Sequence, residues 1–333
     1  MIKINKYMIG LFITLSTTLF ANKVEIAQTV ALLDERPGNI AISKEGRIFL
    51  TVQPLLHPNT KALEISAIGT NIAYPNTKYS KGKESIIKAA IGIKIDKNDN
   101  LWILDLGDKK FVVWDTKKNK LKKIIKLPEA VLTPASFLQD FAFDEKRNRI
   151  IIADMTQGDL KSAPTPAFIT VNTITGKAKR IAQGHSSMMP DFEGGFALNP
   201  IAIDPTFKWV YYGALHGKKI YRIPASSFDN EKNVIKNIKE YGTKTYSDGI
   251  AADSKGNVYI TDIQNDAIGL TTSKEYKILA KLPKGQSWAD GLTIAANGYI
   301  YATVNQLNRA AALNNGKEEG VGPYLVVKIK AIN

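Results

Sequence analysis

The stretch SDGIAADSKGNVYITD, residues 247–262, reads as a short apolar strand, a turn and a second strand. Ser254-Lys255-Gly256-Asn257 supplies the turn chemistry, and Val258 to Thr261 is the β-branched and aromatic run expected of a buried strand. An Asp-Gly pair stands just ahead of the first strand. Asp248 there either serves its own turn or reaches for something beyond it.

The pattern recurs along the chain, which decides the fold. PGNIAISKEGRIFLTV (37–52), AIGIKIDKNDNLWILD (90–105), LQDFAFDEKRNRIIIAD (138–154), NPIAIDPTFKWVYYGAL (199–215) and ADGLTIAANGYIYATVN (289–305) repeat the same strand, turn and strand. Further β runs follow several copies as third and fourth strands, such as KFVVWDT (110–116), AFITVNT (167–173) and YLVVKIK (324–330). Six copies of about four strands, with no long helical periodicity, predict an all-β, six-bladed β-propeller. A pair of sandwiches would not repeat one motif in this way. The final unit is short by one strand, and KVEIAQTVALL (23–33) has no unit of its own. That strand is expected to complete the last blade, closing the ring and removing an exposed edge. Residues 155–166, MTQGDLKSAPTP, read as a surface loop.

The chain has 333 residues and 44% hydrophobic content, enough for a sizeable core. Lys3 and Lys6, the apolar run Met8 to Phe20 and the small Ala21 have the order of a secretory signal, too short in its apolar part to span a bilayer. Residues 1–21 are therefore read as a signal peptide and 22–333 as one propeller domain, exported to a periplasmic or extracellular space. The absence of cysteine excludes thiol catalysis, thiolate metal sites and iron–sulfur clusters. The net charge is +14, densest in DKKFVVWDTKKNKLKKIIKLP (108–128), which reads as a solvated outer strand guarded by lysine. Export argues against a nucleic-acid partner, and the mature chain is read as a monomer without an integral membrane segment.

In a propeller the first strand of each blade lines the central channel. Aligned on that strand, Gly38, Ile91, Gln139, Asn199, Asp248 and Asp290 fall at equivalent positions, and the last four carry side-chain oxygen. An oxygen-rich ring at a channel mouth suits a polar ligand or a hard cation. Each of these residues is also an ordinary turn former, with Gly249 and Gly291 as turn glycines. Asp96, Asp144, Asp204 and Asp253 follow the first strand and read as hairpin-turn residues at the opposite face. Trp288, just before Ala289-Asp290, belongs either to the core or to the wall of the mouth. His57, His185 and His216 show no metal-ligand spacing, and there is no Gly-x-Ser-x-Gly elbow or phosphate loop.

NLWILDLGDKKFVVWDTKKNKLKKIIKLP, SFLQDFAFDEKRNRIIIAD, GKAKRIAQGHSSMMPD and WADGLTIAANGYIYATVNQLNR together resemble the major royal jelly protein and yellow family, in a bacterial member. The resemblance implies a secreted six-bladed propeller with a central pocket, which in some insect members takes small aromatic amines. It makes Asn305 a pocket residue, within Val304-Asn305-Gln306 where the family usually has serine, asparagine and arginine. A more distant likeness, to the gluconolactonase and senescence-marker propellers, implies a divalent cation such as Ca²⁺ on Gln139, Asn199 and Asp248, with Asp248 as acid or base. Pro37-Gly38 stands where those hydrolases carry a glutamate. The resulting ligand-site candidates are Gln139, Asn199, Asp248, Asp290 and Asn305. The readings are a small-molecule-binding propeller, a metal-assisted lactonase, a yellow-type isomerase and an interaction scaffold, since fold alone does not choose.

Overall fold

The computed structural model describes residues 24–66 and 69–332, so the expected signal peptide lies outside the described residues. Six sheets follow one another in a ring, each an antiparallel meander whose first strand faces the axis. The innermost strands are Pro37–Ile42, Ala90–Ile95, Leu138–Asp144, Leu198–Ile203, Ile250–Ala252 and Ala289–Ile294, which define blades 1 to 6. Blade 6 is completed from the other end of the chain. Gln28–Leu33 pairs antiparallel with Tyr324–Lys330, with Gln28 opposite Lys328 and Leu33 opposite Tyr324. The closing segment also reaches blade 5, where Glu25–Ile26 runs parallel to Tyr276–Lys281.

The core lies between blades rather than within them. Twisted sheets stand face to face, so each blade's apolar side chains fill the wedge to its neighbour. Phe111 of blade 2 meets Phe141 of blade 3 edge to face at 5.0 Å. Phe168 of blade 3 meets Tyr212 of blade 4 in the same way at 4.9 Å. Strands that expose neither face read as near-continuous apolar runs, and Ile150, Ile151 and Ile152 are all fully buried.

The inner strands carry a shared irregularity. In blade 1, Pro37 faces Val52 but Ile40 faces Leu50, so three steps on one strand match two on the other. Blades 2, 3, 4 and 6 show the same extra residue at the same place. A bulge of this kind re-aims the side chains it contains. It also brings adjacent inner strands very close. A Cβ on Gly249 would lie 2.1 Å from the carbonyl oxygen of Asp290, and one on Gly291 would lie 2.5 Å from the Cα of Asn39. Neither glycine has a positive φ. They are therefore close-approach glycines, not the turn glycines expected from sequence.

Because each blade is a meander, the turns between its first and second and its third and fourth strands share one face, called here the lower face. Asp96 there accepts N–H bonds from Asn98, Asn100 and Trp102 at 2.8, 2.9 and 3.0 Å. Asp253 accepts from the backbone of Lys255 and Asn257. These are turn residues, as their spacing predicts. The segment 155–166 is a largely exposed surface loop from Gly158 to Thr165, as expected, but its start turns inward. Met155, Thr156 and Gln157 are buried, and the Gln157 side chain bonds the backbone of Gly195 and Ala197. The loop folds inward over the upper end of the channel because Gln157 satisfies backbone groups of blade 4 that would otherwise be orphaned there.

Candidate functional site

At the upper end of the channel, Gly38, Ile91, Gln139, Asn199, Asp248 and Asp290 all border one small chamber. Strand register makes them structurally equivalent: each directly follows the residue that pairs with the end of the second strand, or its counterpart in blade 5. The chamber has a volume of about 40 Å³, room for roughly three waters. Above it opens a vestibule of about 670 Å³. Leu160, Phe196, Trp288 and Leu313 border both and form the neck between them. Leu160 comes from the inward-folded loop of blade 3, and Leu313 from the long connection in blade 6.

Asp248 makes no side-chain bond to its own turn. Its Oδ1 accepts the Asn199 amide N–H at 2.6 Å, and its Oδ2 accepts the Trp288 indole N–H at 2.7 Å. The turn is held instead by Thr261, whose hydroxyl accepts the backbone N–H of Asp248 and of Gly249. Asp290 uses only Oδ2, which accepts from Asn305 at 2.6 Å and from Gln53 at 3.2 Å. Its Oδ1 has no protein partner among the described residues. Burial pushes the Asp248 carboxyl above its ordinary range, against the N–H bonds from Trp288 and Asn199. Burial, and next the charge of Asp248, push Asp290 well above that range. Neither carboxylate has an ion-pair partner among the described residues.

Asn305 stands one layer behind the chamber. It is fully buried, donates to Asp290 and to the Pro37 carbonyl, and accepts the Leu307 N–H. It positions Asp290 and does not form the wall. Gln53, absent from the sequence-based set, is its structural counterpart: each directly follows its blade's second strand. Aligning the ends of the second strands as well as the starts of the first would have revealed it. Trp288 is a wall residue, and its φ of +56° is rare for a bulky side chain. The bond to Asp248 and an apolar collar of Leu215, Leu307 and Ala310 hold it there.

The chamber is closed below by a second ionic group. Asp140, beside Gln139 in the bulge, accepts from the Lys94 ammonium at 2.8 Å. Gly92 leaves room for its carboxylate, which a Cβ there would approach to 3.1 Å. Beneath Lys94 the channel widens into an apolar funnel of about 470 Å³ open to the lower face. At the vestibule, His216 accepts the Phe196 N–H on Nδ1 and stacks on the Phe196 ring at 5.2 Å. Burial, then the nearby Lys244, lower its pKa to about 4, so it is a neutral wall residue at ordinary pH.

The donor set does not fit the divalent-cation site implied by the hydrolase likeness. Gly38 brings no carboxylate, the Asn199 amide points its N–H at Asp248, and both Asp248 oxygens already accept N–H bonds. No group of three acidic or histidine side chains comes together among the described residues. Divalent affinity follows ligand charge and number, and this set is poor in both.

Fold and chamber together define a six-bladed propeller with a polar pocket at the upper mouth of its channel. The chain belongs to the major royal jelly protein family, whose sequence pattern matches residues 88–331. It is similar to major royal jelly protein 3 of Apis mellifera, at 24% identity over 236 residues, covering 62% of this chain and 42% of that protein. Similarity to major royal jelly protein 6 of the same organism is 25% over 225 residues, covering 59% and 50%. The chain thus spans about half the length of the curated relatives it matches. Among solved structures, a luciferin-regenerating enzyme superposes with a TM-score of 0.64 at 12% identity, covering 92% of this chain and 97% of that one. A gluconolactonase from Xanthomonas campestris gives 0.61 at 12%, covering 91% and 88%. The calcium-binding protein regucalcin from Agrobacterium tumefaciens gives 0.58 at 13%, covering 93% and 98%. At these identities the structural likeness establishes the fold.

Proposed function

We propose that the chain is an exported propeller that binds a small organic amine, its ammonium group in the chamber and its apolar or aromatic body in the vestibule. The observation that carries the reading is the pair Asp248 and Asp290, a half-buried and a buried carboxylate facing one chamber without an ion-pair partner among the described residues. A monovalent ammonium needs hydrogen-bond acceptors and one negative charge: the free Oδ1 of Asp290 and the ring amide oxygens offer the acceptors, and the carboxylate pair the charge. The chamber's size suits a head group only, and Trp288 and Phe196 at the neck suit an aromatic body by stacking or cation–π contact. Metal-assisted lactone hydrolysis has less support, because blade 1 offers Gly38 in place of a charged ligand. Export rests on the order of residues 1–21; an N-terminus near Asn22 by mass spectrometry of protein from its native host is expected, and a full-length product would remove that part of the reading.

Titration calorimetry tests the site with phenethylamine-type amines, the same rings bearing a hydroxyl or carboxylate, and Ca²⁺. Binding of the amines alone is expected, weakened about 10- to 100-fold by Asp248→Asn. Equal binding of the neutral rings, or heat from Ca²⁺ alone, would refute the amine reading.

A further inference from the structure

The lower face differs from the upper in charge. In five of the six blades its hairpin turns end in exposed lysine, including Lys44, Lys97, Lys146, Lys177, Lys208 and Lys255. The exposed acids in the same turns and connections are Glu45, Asp229, Glu231 and Glu275, of which Asp229 is paired with Arg149 and Glu231 accepts the Ala182 N–H, while Asp96, Asp204 and Asp253 are consumed by their own turns. Two isoleucines stand out among these lysines. Ile174, in the last turn of blade 3, is 73% exposed, and Ile235, in the corresponding connection of blade 4, is 45% exposed. Lys177 flanks the first, and Lys232 and Lys236 flank the second.

We propose that the lower face docks on the surface of a bilayer rich in anionic phospholipid. The turns of one face lie roughly in a plane perpendicular to the channel axis, so they meet a flat surface together. Lysine near an anionic leaflet attracts it over about a Debye length. A nucleic acid or acidic polysaccharide would satisfy the lysines but would leave Ile174 and Ile235 in water. A bilayer accepts both, with the ammonium groups at the phosphates and the isoleucines at the acyl boundary. Docked in this way, the chain keeps its upper chamber turned away from the membrane. The proposal does not rest on what that chamber binds.

Vesicle flotation decides the matter, using phosphatidylglycerol and phosphatidylcholine in equal parts against phosphatidylcholine alone. Binding to the anionic vesicles only is expected, falling as salt is raised. Lys146→Ala and Lys177→Ala should each weaken it about fivefold. Ile174→Ser should weaken it about tenfold, with no loss of salt dependence. The upper-face controls Lys218→Ala and Lys284→Ala should leave it unchanged, and all variants should keep the parental Tm. Absence of flotation, equal binding to neutral vesicles, or equal sensitivity to the upper-face controls would overturn the proposal. So would retention on heparin or single-stranded nucleic acid without vesicle binding, which would make the partner a soluble polyanion.

Discussion

Aspartate sits at both ends of the innermost strands, and the two ends use it in opposite ways. At the lower end, Asp96, Asp204 and Asp253 turn back on their own hairpins and accept N–H groups from residues two to six positions on. At the upper end, Asp248 and Asp290 ignore their own turns. They accept from side chains 15 to 237 residues away in sequence, and only the Gln53 bond to Asp290 spans the ring closure. The lower acids are satisfied within one hairpin, whereas Asp248 draws on blades 4 and 6, and Asp290 on Asn305 of its own blade and on Gln53 across the ring closure. A carboxylate completed by its own turn is structural; one completed from beyond its turn, with acceptor capacity left toward a chamber, is available to a ligand.

The largest expected effect breaks the lower end. Asp96→Ala removes the acceptor for the Asn98 and Asn100 backbone N–H groups and for the Trp102 indole. Leaving buried donors unpaired should cost about 3 kcal/mol in urea unfolding. The upper end should respond with the opposite sign. Asp290 has its carboxyl pKa raised by burial, so its contribution to stability is present below the unfolded carboxylate pKa and is lost as pH rises through the raised value. Asp290→Asn should therefore be more stable than the parent by about 1–2 kcal/mol at pH 7. The gain should vanish at acid pH, where the parental carboxyl is protonated in both states. A gain that persists unchanged to low pH would show that charge is not its cause. The smallest effect is expected for Asp253→Asn, since asparagine supplies the same turn acceptor; its unfolding free energy in urea should change by less than about 0.5 kcal/mol. A large loss there would erase the distinction between the two ends.

Much of this was legible in the sequence because a propeller repeats. Six copies of one strand-turn-strand pattern fix the blade, and alignment on it picks out Asp248 and Asp290 together with Gln139 and Asn199. Local pattern could not say which way those side chains point. That depends on the bulge, which is a property of pairing between strands, and on the close approach of neighbouring blades that requires Gly249 and Gly291. Gln53 escaped notice because it follows a second strand, where blades 2 to 5 carry Leu106, Met155, Leu215 and Ile263 and no polar pattern recurs. Asn305 entered through family likeness and proved to support Asp290 from behind. The loop at 155–166 looked polar enough for solvent, yet its Gln157 is spent on the backbone of the next blade, a contact with no local signature.

The strand at Gln28–Leu33 has a consequence in time as well as in space. It is among the first segments of the propeller to be synthesised, and its partner Tyr324–Lys330 is among the last. At ribosomal rates of about 5–20 residues per second, the interval between them is on the order of 15 to 60 seconds. For that interval the first strand has no edge to pair with, although blades 1 to 5 can form in succession behind it. Leu33, fully buried in the closed ring, stays in contact with solvent or a chaperone until the final strand emerges. The ring is thus a clasp set when the propeller's first strand is made and shut when its last one is.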